Sequence, residues 1–443
     1  MAYKSTKRYP AERAAKTGHM QLIEDPHTRQ LLASFRNSMP LRDKLSSEIR
    51  AEHTEQLKDC GIRRIITVDG GECYPENSID KRRLAFLKVC ALPLRMVDIE
   101  SQRAARVQDP REVNRFLQNG IWINGGVIPL AGVRIPGRSV RESIRQSIDQ
   151  ILVYTGLNSI LQYLVSREWD PGYFMGSGSS PHFNCRSCGR IVYLPKSSLR
   201  FQCLSCGHEH MLSDYLQIDQ ESSDESARAQ MAQALRNVLE ILVLMHLIWS
   251  DLDRPDLLGQ TLYMRDGPLM LRAGLYRLVD DIRAFIQHLD QKGLRLHLLG
   301  VEKNGDVASH ASTLRQYLPD KGYFFLPSRR YVAEEIHGRP FNAKIHRSRA
   351  LFGEKVFARL GPGHLLALNV PVRDITQDPS VENLLGFQAM FSALSGLLSY
   401  QYENALIPIV LANRFASLSQ RFSGSILNSF AVSLIRGHQE KDE

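Results

Sequence analysis

Apolar positions along the chain fall into two periods. Over the opening 60 residues, Leu22, Leu31, Leu32, Phe35 and Leu41 recur at helical steps. The segment "RIITVDGG" then switches to a strand, with β-branched Ile65, Ile66 and Val68 ending at Asp69, Gly70 and Gly71 before a polar loop. "RRLAFLKVCALPLRMVDIE" reads as a second, nearly continuous apolar strand with Pro93 near its middle. "VNRFLQ", "SVRESIRQSIDQILVYTGLNSILQYLVS" and "SARAQMAQALRNVLEILVLMHLIWS" return to helical spacing. "QTLYMRDGPLML" is a strand ending in Asp-Gly, "LVDDIRAFIQHLDQKG" a helix stopped by Gly293, and "LRLHLLGVEKNG" a strand. The tail reads as strand "HLLALNVPV", a helix over 381–400, and strand "ALIPIVLANRF". The pattern predicts a mixed α/β fold without internal repeats.

Composition adds bounds. At 443 residues, with 43% hydrophobic and 23% charged content, the chain suits a soluble protein of two domains, or one domain with insertions. The net charge of +9 favours a polyanionic partner, and residues 1–50 carry ten Lys or Arg against five Asp or Glu. The N-terminus is basic without an apolar stretch behind it. The longest uncharged stretch, 384–402, holds Ser, Gln, Gly and Tyr, as a buried amphipathic helix does. A cytosolic protein is expected. No Walker A motif occurs, so the chain hydrolyses no nucleotide through a P-loop, and any energy must come from a partner.

Four of the seven cysteines are patterned. Cys185 and Cys188, then Cys203 and Cys206, form two CxxC knuckles separated by 14 residues, each followed by a glycine. Four thiolates complete a tetrahedral Zn²⁺ and leave no open position, which predicts a structural zinc ribbon over 181–212 that contacts nucleic acid or a partner. "GYFMGSGSSPHFN" and "QIDQESSDES" flank it as flexible linkers. Cys60, Cys73 and Cys90 lie in apolar surroundings, as reduced core thiols do.

Acidic residues suggest chemistry. Asp69-Gly70 and Asp266-Gly267 each end an apolar strand. Asp-Gly is also an ordinary turn dipeptide. If the two strands are neighbours, both carboxylates emerge at one edge, where a hard divalent cation takes convergent oxygens and small residues leave room for phosphate. Glu240 interrupts "VLEILVLMHLIW" and needs a partner. Two remain open: Arg236, one helical turn back, or a metal shared with Asp69 and Asp266.

The order "VDGG" on a strand, a helix with an embedded Glu, "RDGPL" on a strand and "GVEKNG" after another strand resembles the NurA nucleases, partners of the HerA hexameric translocase in DNA-end processing. The resemblance runs from about residue 60 to about 420. It implies an RNase H-like sheet with flanking helices, and Mn²⁺ or Mg²⁺ held by Asp69, Glu240 and Asp266. It places Lys303 beside the scissile phosphate, and implies a homodimer acting on DNA in end processing or defence. The sequence departs from the family where Asp-Gly-Ser-Leu becomes Asp-Gly-Pro-Leu, where Asn413 stands for a metal-side His or Asp, and where Ala405 stands for a tyrosine.

The implied reaction is metal-assisted phosphodiester hydrolysis, with DNA guided by Arg134, Arg138, Arg141 and Arg145, and by Arg339, Lys344, Arg347 and Arg349. Either run is equally readable as a solvated face. The expected organisation is an N-terminal helical docking segment (1–60), a nuclease domain in two parts (61–180 and 213–443), and the ribbon between them. The other class open to this sequence is a non-catalytic zinc-ribbon scaffold on a degenerate nuclease fold.

Overall fold

The computed structural model describes residues 23–34, 49–55, 57–75, 83–103, 118, 120–170, 173, 181–221, 224–319, 321–342, 350–361, 363–399, 401–418 and 422–439. The chain divides into two units, Met1–Ile49 and Arg50–Glu443. In the first, helix α1 (Pro26–Ser34) starts where Asp25 accepts the backbone N–H of Thr28, and Leu31 and Leu32 are exposed. Leu22, Phe35 and Leu41 lie outside the described residues.

The second unit is built on a nine-stranded sheet. Its strands are β1 (Ala51–His53), β2 (Arg64–Cys73), β3 (Arg83–Arg95), β4 (Ile121–Ala131), β9 (Thr261–Asp266), β10 (His297–Glu302), β11 (Tyr323–Phe325), β12 (Glu354–Gly361) and β13 (His364–Val370). They lie in the order β1-β11-β12-β13-β10-β9-β2-β3-β4. β2, β3 and β4 form an antiparallel meander, and β2, β9 and β10 run parallel. Both faces are covered, which explains why these strands read as apolar runs rather than alternating ones. One face packs under α3 (Val140–Tyr154), α4 (Leu157–Ser166), α5 (Glu225–Ser250) and α6 (Tyr276–Gln291). The other packs under α2 (Met96–Arg103), α8 (Phe387–Leu394) and α9 (Ile407–Ala416), with α7 (Asp306–Leu314) beside β13. Among the described residues α5 is the one helix long and apolar enough to cross a membrane, and Leu235, Val238, Leu242 and Met245 along it are buried in this core.

Several sequence expectations need correction. "ALIPIVLANRF" is not a strand but the helix α9. Pro408 sits in its first turn, where a missing N–H leaves no hydrogen bond unmade, and the unbroken apolar run from Ala405 to Ala412 hides its helical period. β2 does not end at Asp69. It continues to Cys73 along β3, and loses only its other neighbour where β9 stops. The apolar run at 82–100 is a strand only to Arg95, and "MVDIE" opens α2. Pro93 pairs with Ile66 but lies past the end of β4, so its missing N–H removes no bond on that side. The helix expected over 381–400 is a 3₁₀ turn, Val381–Asn383, followed by α8. Strands β1, β4, β11 and β12 were not legible as such, and "VNRFLQ" lies outside the described residues but for Gln118.

The ribbon is two hairpins: β5 (His182–Asn184) with β6 (Ile191–Tyr193), and β7 (Arg200–Gln202) with β8 (Glu209–Met211). Its exit is not a flexible linker. Leu212, Tyr215, Leu216 and Ile218 form 3₁₀ turns buried in the same apolar cluster as α3, α4 and α5. The Arg145 guanidinium donates to both oxygens of Asp214, at 2.8 and 2.6 Å, and Arg186 pairs with Asp214 and Asp219. Phe183 and Val192 of the first hairpin are buried in that cluster too. Phe183→Ala is therefore expected to cost the whole fold about 3–5 kcal/mol in a single urea transition followed by circular dichroism. A separate low-stability transition for the ribbon, with the main one unmoved, would show that it is an independent module.

Candidate functional site

Val68 is in register with Arg265 across the parallel pair β2–β9, so the next residues, Asp69 and Asp266, stand level on neighbouring strands. Asp266 is also registered with Val301 of β10, and the chain leaving β10 carries Lys303 back over it. The Lys303 ammonium donates to Asp266 Oδ2. Asp69 is 6% exposed, and its carboxyl accepts the Gly70 N–H at 2.7 Å. Burial, and then the charges of Asp266 and Glu240, push Asp69 up to about 8. Burial also raises Asp266, with Lys303 opposing. Two crowded carboxyl groups thus share one ammonium.

Glu240 is fully buried on the opposite side of β2. The sequence left its partner open between Arg236 and a metal, and the structure supplies two arginines. Arg236 pairs with one carboxylate oxygen, while Arg265 donates to the other from Nε at 3.0 Å and from Nη2 at 2.8 Å. Arg236 also holds Glu72. The glycines serve this packing rather than clearing space for phosphate. A Cβ on Gly70 would lie 2.5 Å from Glu240 Oε1, and one on Gly71 would strike the carbonyl of Ala416 at the end of α9. Arg265, beside Asp266 in sequence, was missed by sequence reasoning. Its signal was a charge inside an otherwise apolar strand.

α9 packs across β2, β3 and β9 on the face that carries Asp69. Cys90, opposite Asp69 on β3, contacts the Ala412 carbonyl, and Lys88 donates to that of Phe415 at 2.7 Å. Between α9, α7, β13 and the loop 402–405 lies an open cavity of about 560 Å³, with Lys303, Tyr402, Asn404, Asn413 and Arg414 on its walls. Lys303 therefore faces both the paired aspartates and the cavity. Asn413 is exposed there, and Ala405 also lines it, while the phenol comes from Tyr402 three residues earlier.

The four cysteines converge, with ligand atoms all within 4.8 Å of one another. Cys185 Sγ lies 3.7 Å from Cys206 Sγ, and Cys188 Sγ 3.8 Å from Cys203 Sγ. Sulfurs about 2.3 Å from a tetrahedral Zn²⁺ stand about 3.8 Å apart, so the set fits such an ion. Gly189 and Gly207, both at φ +71°, close the two knuckles. His210 joins Cys185 Sγ at 3.3 Å to Asp214 at 3.2 Å, which carries the cluster into the arginine pairs that anchor the ribbon. Among the described residues this is the one group of three or more His, Cys, Asp or Glu side chains so closely spaced. Asp69, Glu240 and Asp266 do not form a ligand set of that kind.

The basic runs divide. Arg134 and Arg138 are exposed, and Arg141 lies 3.8 Å from Asp219. Arg145 is committed to Asp214, which corrects its expected place on a DNA-binding surface. Arg339 is exposed, whereas Lys344, Arg347 and Arg349 lie outside the described residues.

No family model and no curated protein matches the chain. Among solved structures it is similar to the NurA nuclease from Sulfolobus solfataricus, at 10% identity and TM-score 0.37, over 97% of this chain and 99% of that one. A second NurA structure gives 10% identity and TM-score 0.30, over 95% and 98%. At that distance, residue roles have to stand on the geometry of the site itself.

That geometry sets two expected outcomes. An aspartate ordinarily ionises near 3.9. With Asp69 raised to about 8, the folded chain keeps a proton that the unfolded chain has lost, so this group's contribution to stability falls as pH rises from about 4 to about 8. In metal-free buffer, Asp69→Asn should exceed the parent by a few kcal/mol at pH 8. The gap should close as pH falls toward about 4, where the unfolded chain takes up the same proton. Urea melts at several pH values read this directly, and a destabilised Asn variant would mean an ordinary turn aspartate. For the cysteines, purified protein should carry one equivalent of zinc by elemental analysis. Cys188→Ser should lose it and lower the midpoint of the global transition.

Proposed function

We propose that the chain is a metal-dependent nuclease that hydrolyses phosphodiester bonds in DNA. The observation that carries this reading is the level placement of Asp69 and Asp266, two buried and mutually repelling carboxyl groups, beside a lysine that opens onto a cavity. The strand order supports an RNase H-like sheet: a three-strand antiparallel meander with two strands added parallel to its first. The motif order of the sequence supports the NurA type.

Asp69 and Asp266 would hold a divalent cation, Mn²⁺ or Mg²⁺, whose chemistry there is to activate water and to neutralise phosphate charge. The chain's own residues do the rest. Burial keeps the paired carboxylates short of counter-charge, so they favour a cation over water. Lys303, already at Asp266, offsets charge that builds on the phosphate. Asn413 offers a carbonyl or an amide to a substrate entering the cavity, and cannot act as a general base. Glu240 sets the field from behind β2, with both oxygens held by Arg236 and Arg265. Exposed Arg134 and Arg138 offer phosphate contacts that read no sequence. The proposed setting is the cytosol, as a homodimer working with a HerA-like hexameric ATPase in end processing or defence, because the sequence holds no P-loop of its own.

The test is degradation of linear DNA with Mn²⁺ or Mg²⁺, in the presence of such an ATPase. Asp69→Asn and Asp266→Asn should each lose activity by about a thousandfold, corresponding to several kcal/mol of charge stabilisation. Lys303→Ala should lose about a hundredfold. The arginine clamp on Glu240 favours a second reading, a non-catalytic scaffold that binds DNA or a partner through the ribbon. On that reading the parent protein shows no metal-dependent cleavage, and all three variants bind DNA as it does.

A further inference from the structure

The cavity beside Lys303 is not used by the paired aspartates themselves. One wall is a tight loop. Ser399 N donates to the Ala405 carbonyl, Leu398 and Leu406 form a β-bridge, and Asn404 adopts a left-handed conformation (φ +53°) while its side-chain oxygen accepts the Leu365 N–H at 2.8 Å. This bracing holds Tyr402 at the loop's tip, 48% exposed. Across from it, exposed Arg414 on α9 donates to the Tyr402 hydroxyl at 3.1 Å.

The acids around the cavity are already matched. Glu302 is engaged by Lys355 and Asn369, and Glu403 pairs with Arg315. Two cationic side chains also stand on the walls, Lys303 paired with Asp266 and Arg414 bonded to the Tyr402 hydroxyl. A rigid aromatic face, a guanidinium beside it and a volume of about 560 Å³ suit one planar base with its phosphate.

We propose that this cavity is a nucleotide subsite for single-stranded nucleic acid, in which Tyr402 stacks on the base next to the scissile phosphate and Arg414 contacts the backbone. The assignment deepens the nuclease reading and rests on it for the position of the scissile phosphate. Stacking on a fixed ring tolerates any base, so the subsite selects for an unpaired strand rather than a sequence. A base held in a duplex offers no free face to Tyr402, so duplex ends must fray or be unwound before they enter.

Binding without cleavage tests it. Fluorescence anisotropy in EDTA compares labelled dT8 with an abasic octamer of the same backbone. The parent should favour dT8 by about tenfold or more, the scale of one aromatic–base stack. Tyr402→Ala should abolish that preference and Tyr402→Phe should keep it. Arg414→Ala should weaken both ligands alike and reduce the salt slope by about 0.7, the value for one phosphate contact on a single strand. A Tyr402→Ala variant with the parent's full preference for dT8 overturns the subsite, as does a parent that binds both ligands equally. The two readings fail separately. Absence of metal-dependent degradation in the parent removes the nuclease and leaves the base preference standing, whereas normal degradation without any base preference does the reverse.

Discussion

The fold is organised around one buried charge. Glu240 sits in the apolar middle of α5, where an unpaired carboxylate is costly, and both of its oxygens are taken by arginines. Those arginines come from different places, Arg236 from the same helix and Arg265 from the interior strand β9. The pairing therefore fixes both the rotation of α5 and its height over the sheet. It also demands that Gly70 have no side chain, since a methyl group there would meet the carboxylate. A buried pair of this kind is weak evidence for net stability, because desolvation offsets much of the attraction. What it constrains is geometry, and the placement of Asp266 one residue beyond Arg265 follows from it.

The two faces of the sheet differ in charge as a consequence. On the α5 face, Glu72 and Glu240 are matched by Arg236 and Arg265. On the α9 face, Asp266 pairs with Lys303 and Asp69 stands level with Asp266. The first arrangement is complete. The second is an acidic excess held in a poorly solvated place, and both carboxyl groups are raised in response. Crowding like-charged groups costs stability, and the surrounding structure maintains it through well-packed strands whose registers leave the side chains no alternative.

The sequence showed much of this, for reasons that can be traced. β2 and β9 were legible because Ile65, Ile66 and Val68, and Leu262, Tyr263 and Met264, form short apolar runs before an Asp-Gly, and α5 because its period is long and sustained. The cysteine knuckles were legible because their spacing alone restricts what they can do. α9 was not, since its unbroken apolar run from Ala405 to Ala412 has the composition of a buried strand. Nor were the roles of Gly70 and Gly71. A glycine marks a close approach without saying what approaches, and here α5 and α9 do. The choice between Arg236 and a metal for Glu240 needed Arg265, a contact across 25 residues that no local pattern contains.

The ribbon and the carboxylate site, separate in the sequence, share a support. Phe183 and Val192 of the ribbon enter the same apolar cluster as Val238, Leu239 and Leu242 of α5, the helix that carries Glu240. From Cys185 the chain of contacts runs through His210 and Asp214 to Arg145 on α3, and α3 packs on β4 at the end of the meander that begins with β2. A metal held by the four cysteines would therefore do more than close two knuckles. By fixing four sulfurs it would fix the polar chain and the buried aromatic that pack on the helical layer containing α5. Asp69 and Asp266 can stay crowded only while the strands beneath them cannot slide. The ribbon's structural role and the chemistry proposed for the sheet are thus two ends of one mechanical requirement.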